Sequence, residues 1–192
     1  CKIEIDILGQ PIGKQDQYAA AFGGINHLQF RSDGIVIINP LSIEKSDATD
    51  FVKNYSLLYT GITRSANQIL EEQIENMSDK NDMLKKIRDQ ALLAREMVES
   101  GNVSGLAELL SEGWKMKQTL ASGITIPEIN NLYSEILSCG SSGGKLLGAG
   151  GGGFILFHSD NNISEAISKR LPSNQQLSLD IDWDGSIILH GN

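Results

Sequence analysis

The sequence predicts an α+β fold built on an antiparallel sheet with helices, and three observations carry that prediction. Residues 65–139 show helical apolar spacing through a charged surface, with short interruptions. The tail then changes to the apolar run Phe154-Ile155-Leu156-Phe157, a helical stretch from Ser164 to Leu171, and two strand-like runs at Leu177–Ile181 and Ile187–Leu189. A strand, a helix and two strands that follow a helix pair describe helices packed on an antiparallel sheet.

Taken in order, Ile3, Ile7 and Leu8 fall at helical spacing before Gly9 and Pro11 stop the pattern, while alternation at Ile3, Ile5 and Ile7 keeps a strand open. The helix is the favoured reading, and its start within the pattern suggests that an earlier stretch is missing. Lys14–Phe22 reads as a short helix ended by Gly23-Gly24. His27–Phe30 and Ile35–Ile38 flank Ser32-Asp33-Gly34, the signal of a hairpin that Pro40 closes. Asp47–Asn54 reads as a brief helix and Ser56–Thr60 as a strand, and Gly61 breaks before a helix from Ser65 to about Met77. Leu84, Ile87, Ala91, Leu92, Ala94 and Val98 form one apolar stripe; Leu106, Leu109, Leu110, Trp114 and Met116 form the next, after Gly101-Asn102. A further helix has Pro127 near its first turn and runs to Cys139.

Composition narrows the function classes. With 24 acidic against 16 basic side chains the formal charge is -8, which argues against nucleic acid or an anionic membrane surface as partner. Any phosphate must therefore be gripped locally. The 192 residues are 40% hydrophobic before 20 glycines are counted, a normal share for a folded core. The cysteines are Cys1 and Cys139, no apolar run nears the roughly 20 residues of a membrane span, and no leader opens the chain, so a reduced, cytoplasmic protein is expected.

The run Gly148-Ala149-Gly150-Gly151-Gly152-Gly153 matches G-x-G-x-x-G, but five glycines in six positions match almost any glycine pattern. A dinucleotide fingerprint needs a helix after it, and here the strand-like run from Phe154 follows. A Walker A loop fails because Lys145 is followed by Leu146 and position 139 is Cys. No His-Arg-Asp or Asp-Phe-Gly follows, so the protein-kinase loop fails as well. A flexible linker is the common use of such a run, yet Lys145-Leu146-Leu147 and Phe154–Phe157 tie it down at both ends. Consecutive glycines let a backbone approach a ligand and offer several N–H groups to an anion. We read Gly148, Gly150, Gly151 and Gly152 as phosphate-facing.

Near the start, Gly9-Gln10-Pro11-Ile12-Gly13-Lys14-Gln15-Asp16 makes a tight entry to a helix whose first turn carries Asp16. Spacing leaves two roles open for that carboxylate: a first-turn charge or cap, or a base that orients or deprotonates an attacking hydroxyl. Lys14 is close enough in sequence to bear on it or to bind phosphate.

With both segments in view, the chain resembles the C-terminal half or more of a sugar kinase of the GHMP superfamily, nearly end to end. Gly143-Gly144-Lys145-Leu146-Leu147 through Phe154 resembles that superfamily's third motif, which supports nucleotide and substrate phosphates. Gly13-Lys14-Gln15-Asp16-Gln17-Tyr18 followed by Gly23-Gly24 is similar to the segment bearing the catalytic aspartate in galactokinase-like members. Pro11–Gln17, Tyr59–Ala66 and Leu120–Ile124 resemble the D-glycero-D-manno-heptose 7-phosphate kinase subgroup more than galactokinase, with the fucokinase domain as rival. The resemblance implies a ferredoxin-like C-terminal domain at 46–192 and a remnant of the N-terminal kinase domain at 1–45. It further implies ATP and Mg²⁺, Asp16 as base, and phosphorylation of the anomeric hydroxyl of heptose 7-phosphate, toward nucleotide-activated heptose for surface polysaccharide.

One departure from the family is a missing second motif, the Pro-then-Gly-Leu-Gly-Ser-Ser-Ala loop that wraps ATP phosphates; Gly140-Ser141-Ser142-Gly143 is no substitute. The family's Mg²⁺-ligating Ser and Glu lie in that part, so no metal residue is assigned and the 192 residues alone are expected to be inactive. A non-catalytic binding module that kept the fold is the competing reading, fucokinase and galactokinase-like activities are alternatives of substrate, and a homodimer is left open. For the substrate, Gly13, Lys14, Thr60, Gly61 and Arg64 are the candidates. Thr60, Gly61 and Arg64 follow a strand end, where Arg64 either binds the sugar phosphate or makes a surface ion pair. Lys145 reads as a lysine snorkelling from a strand edge. His27, His158 and His190 lack ligand spacing, and Cys139 and Trp114 read as packing residues.

Overall fold

A computed structural model of the chain describes residues 1–64 and 66–189. The first turn is a π-helix, Lys2–Ile7, in which the Leu8 N–H reaches the Ile3 carbonyl at 2.9 Å. The helical reading of this segment is right in kind, but apolar spacing over six residues does not separate an α from a π repeat. Helix α1 (Gln15–Phe22) follows, and the hairpin β1 (Asn26–Phe30) and β2 (Val36–Pro40) pairs in register from Asn26 opposite Pro40 to Phe30 opposite Val36.

The rest of the chain is α2 (Lys45–Val52), β3 (Tyr55–Tyr59), α3 (Ala66–Glu75), α4 (Asn81–Glu99), α5 (Val103–Lys117), α6 (Pro127–Ser138), β4 (Gly144–Leu146), β5 (Phe154–His158), α7 (Asn161–Arg170) and β6 (Gln176–Ser178). The helix expected from Ser65 starts at Ala66 among the described residues; Ser65 itself lies outside them, as does His190. Local chemistry sets several ends. Asn102 caps α5 by accepting from the Gly105 N–H, Asp160 caps α7 by accepting from the Ile163 N–H, and Pro127 occupies the first turn of α6, where its missing N–H costs nothing.

The four strands β3 to β6 form one antiparallel sheet in the order β4-β5-β3-β6. Tyr55 lies opposite His158 and Tyr59 opposite Phe154, with β6 on the other edge of β3. Strand, helices, two strands, helix and strand in that spatial order is the ferredoxin-like split βαβ arrangement. Because side chains alternate along a strand, Leu58, Leu146, Ile155 and Phe157 share one buried face. Trp114, Ile124, Ile129, Ile136, Ile163 and Ile167 pack against them to complete the main core. A smaller cluster gathers around Phe51, Tyr55, Val98 and Ala107.

Three expectations are corrected. Ile187–Leu189 form no strand; they are irregular and 65–85% exposed. The stretch before them is committed elsewhere, since the Gly24 N–H donates to the Asp182 carbonyl and the Ser186 N–H to the Ala21 carbonyl, at the end of α1. The strand expected at Leu177–Ile181 shortens to Gln176–Ser178, the length that β3 can pair. Leu92 stands outside the α4 stripe, 53% exposed.

Candidate functional site

Residues 148–153 form the loop of the β4–β5 hairpin, and the Leu147 N–H closes its neck on the Phe154 carbonyl at 2.9 Å. The loop is gripped from two sides. The Gly151 N–H donates to the Ile124 carbonyl and the Gly153 N–H to the Ile62 carbonyl, each at 2.9 Å. These contacts explain the residue choice: a Cβ on Gly150 would stand 2.8 Å from the Ile124 Cα, and one on Gly152 2.3 Å from the Ile62 carbonyl oxygen. Glycine is required because two backbones meet here. Among the described residues, the N–H groups of Gly148, Ala149, Gly150 and Gly152 make no hydrogen bond. Four donors on one partly exposed turn can hold an anion.

Thr60, at the end of β3, is 6% exposed, and its hydroxyl is already committed: it donates to the Gly153 carbonyl at 2.9 Å and accepts from the Ile62 N–H at 3.2 Å. It shapes the loop from within the protein. Gly61 is exposed with a φ of 74°. Arg64 lies along the loop, its Cδ 3.4 Å from where a Gly151 Cβ would be. It opens onto a cavity of about 350 Å³ shared with Gln68, Glu72 and Ser122, in which the Glu72 carboxylate accepts from the Ser122 N–H and hydroxyl.

Asp16 sits exposed in the first turn of α1, with Gly13 and Lys14 just before it. The segment is tied to α3 where Asn67 donates to Gln10 at 3.3 Å. At its other end, the Asp16 carboxylate acts electrostatically on Lys117, which the sequence reading did not single out. Lys117 ends α5 and donates from Nζ to the Gly148 carbonyl. Burial, then the Lys145 ammonium, pull its pKa down to about 8, with Asp16 opposing. Burial lowers Lys145 as well, and both lysines line a cavity of about 190 Å³ beside Trp114. Lys117 had a signal in the sequence: it continues the Leu110, Trp114 stripe at i+7, on the face that packs inward.

Trp114 is 1% exposed in the core, Cys139 is half-buried at the margin of the same core, and the His158 Nδ1 accepts from the Ser142 N–H. Among the described residues no three His, Cys, Asp or Glu side chains converge on a possible metal position. No described helix is long and apolar enough to cross a membrane.

The ferredoxin-like sheet thus holds a glycine loop whose N–H groups at Gly148, Ala149, Gly150 and Gly152 make no hydrogen bond among the described residues. Residues 83–173 match the family of GHMP kinases C terminal, and the chain carries that C-terminal domain. It is 32% identical over 176 residues to the D-glycero-alpha-D-manno-heptose 7-phosphate kinase of Campylobacter jejuni, covering 91% of this chain and 52% of the relative. It is 28% identical over 169 residues to the L-fucokinase/L-fucose-1-P guanylyltransferase of Bacteroides fragilis, covering 84% of this chain and 18% of that protein. Among solved structures, a D-glycero-D-manno-heptose 1-phosphate kinase from Bacteroides thetaiotaomicron superposes with a TM-score of 0.69 at 26% identity, over 96% of this chain and 51% of the other. The chain thus spans about half the length of the Campylobacter relative, and less than a fifth of the Bacteroides fragilis one.

Proposed function

We propose that these residues belong to an ATP-dependent sugar kinase whose acceptor is a phosphorylated heptose, with the anomeric hydroxyl of D-glycero-D-manno-heptose 7-phosphate as the position phosphorylated. Residues 1–45 are the part of the N-terminal kinase domain that carries Asp16, and 46–192 the C-terminal domain; the enzyme works in the cytoplasm. The observation that carries the reading is the set of unused N–H groups at Gly148, Ala149, Gly150 and Gly152 in a loop that two backbones hold rigid. The name of the Campylobacter relative supports the choice of heptose, and the fucokinase relative supports L-fucose as the second reading.

In the reaction, the sugar hydroxyl oxygen attacks the γ-phosphorus of ATP in line. The bond from that phosphorus to the ADP oxygen breaks, and Asp16 takes the hydroxyl proton. The loop N–H groups face the negative charge of the phosphoryl oxygens, and being already oriented they need no rearrangement as charge shifts. Gly151 serves by its conformation, since its own N–H is bonded to Ile124. Lys14 adds positive charge beside Gly13, Thr60 and Gly61 fix the loop's flank, and Arg64 grips the phosphate that the sugar already bears. Mg²⁺ supplies charge neutralisation when it arrives with ATP. The described residues present no cluster of three carboxylate, imidazole or thiol groups that would hold it.

In the natural polypeptide containing these residues, Asp16→Asn should lower kcat by about 100-fold or more with an unchanged melting temperature, the range of a lost general base. Unchanged turnover would remove Asp16 from the chemistry. Arg64→Ala should raise KM for the phosphorylated sugar while leaving KM for ATP near its starting value; an unaltered sugar KM would return Arg64 to the surface.

A further inference from the structure

The Gly148–Ala149 peptide is held from one side by a side chain. Lys117 donates from Nζ to the Gly148 carbonyl, and among the described residues there is no cis peptide bond. A trans peptide places its C=O and its N–H on opposite edges of one plane. Anchoring the Gly148 carbonyl at the end of α5 therefore turns the Ala149 N–H away from α5. One residue further on, Gln73 of α3 donates to the Ala149 carbonyl at 3.4 Å, which in the same way turns the Gly150 N–H away from α3. Both N–H groups belong to the set without a partner among the described residues. The φ angles alternate in sign along this stretch, 69° at Gly148, negative at Ala149 and 119° at Gly150.

Of the charges that act on Lys117, Asp16 favours the ammonium, but by less than burial and Lys145 oppose it. Among the described residues neither Lys117 nor Lys145 takes part in a salt bridge. Burial and the neighbouring Lys145 ammonium both disfavour the charge on Lys117. A cation at a helix C-terminus gains from the dipole, but the exposed position two residues earlier in the same turn, that of Lys115, gives much of that gain without the burial.

We propose that Lys117 is a positioning residue of the glycine loop: by holding the Gly148 carbonyl it aims the Ala149 N–H at a bound phosphoryl group. This rests on the reading of the loop as a phosphate site and names the side chain that sets it. It applies equally to a phosphate of the nucleotide and to that of the sugar, and the kinetic arm below separates the two.

The test is a titration of the 192-residue chain with inorganic pyrophosphate, followed through the amide resonances of Gly148, Ala149 and Gly150. In the parent these resonances should move with ligand. In Lys117→Met the Ala149 resonance should already be displaced without ligand, and affinity should fall about tenfold, the loss of one charge-assisted contact, while Lys117→Arg stays within about threefold of the parent. Lys53→Met, which alters an exposed lysine paired with Asp50, should bind as the parent does. Pyrophosphate binding unchanged in Lys117→Met, with only the melting temperature altered, would leave Lys117 as a helix-end cation and overturn the proposal while the phosphate-site reading stood. Loop resonances that ignore pyrophosphate in the parent would overturn both. If Lys117→Met fails to fold, Lys117→Gln is read in its place. In the natural polypeptide, a rise in KM confined to ATP assigns the aimed N–H to the nucleotide, and a rise confined to the sugar phosphate assigns it to the acceptor. Neither rising would again overturn the proposal.

Discussion

At Lys117 a positive charge is kept where burial, and Lys145 after it, disfavour it, so its pKa falls from the ordinary lysine value of 10.5 to about 8. The folded state then releases its proton at a lower pH than the unfolded chain. Between about pH 8 and 10.5 the unfolded chain binds more protons, so stability linked to this group rises with pH across that window; the penalty is fully present below pH 8. Melting curves of the parent and Lys117→Met should therefore diverge in the parent's favour as pH rises from 7 to 10. A difference independent of pH would show that Lys117 is not desolvated. Asp16 is the other residue on which the account turns, and its type and place were readable because a Pro and two glycines frame the helix entry. Lys117 was not read, because a lysine ending a stripe looks like any helix-end cation until the loop carbonyl is seen against it.

The glycine loop shows what one element owes to two others. Gly150 has a φ of 119° and no room for a Cβ beside Ile124, whereas Gly148 has a φ of 69° in open space. Gly150→Ala should therefore cost more than Gly148→Ala, by about 1–3 kcal/mol of added strain. At about 2–4 °C per kcal/mol, that separates their melting temperatures by several degrees. Equal melting temperatures would mean that Ile62 and Ile124 do not clamp the loop. The clamp was only half legible. The flanking runs at Leu146-Leu147 and Phe154–Phe157 announced anchored ends and Lys145 a strand edge, but the bounds of β4 were not legible, since a three-residue strand that starts on Gly144 carries no pattern and its pairing comes from β5. Ile187–Leu189 erred the other way. An apolar run has strand propensity, but a strand needs an edge to pair with, and the preceding residues are bonded to α1.

Across the whole molecule, the helix order and the sheet class were legible because the stripes of α4 and α5 are periodic over many residues and the apolar run of β5 marks a buried strand. The strand order was not, since β3 pairs with β5 and β6, each about a hundred residues away in sequence. That pairing brings the end of β3, the glycine loop and Arg64 together at one end of the strands, where α5 carries Lys117 to the loop. The N-terminal segment is tied to α3 by Asn67 and Gln10, and Asp16 acts electrostatically on Lys117, in a chain whose formal charge is -8. The measurement that tests this most directly is ADP release by the natural polypeptide that contains these residues, with Mg-ATP and, in turn, D-glycero-D-manno-heptose 7-phosphate, L-fucose, galactose and mevalonate. Release with the heptose 7-phosphate alone is the predicted result. A folded protein that releases no ADP with any of them would contradict the kinase reading and leave a phosphate-binding module in its place.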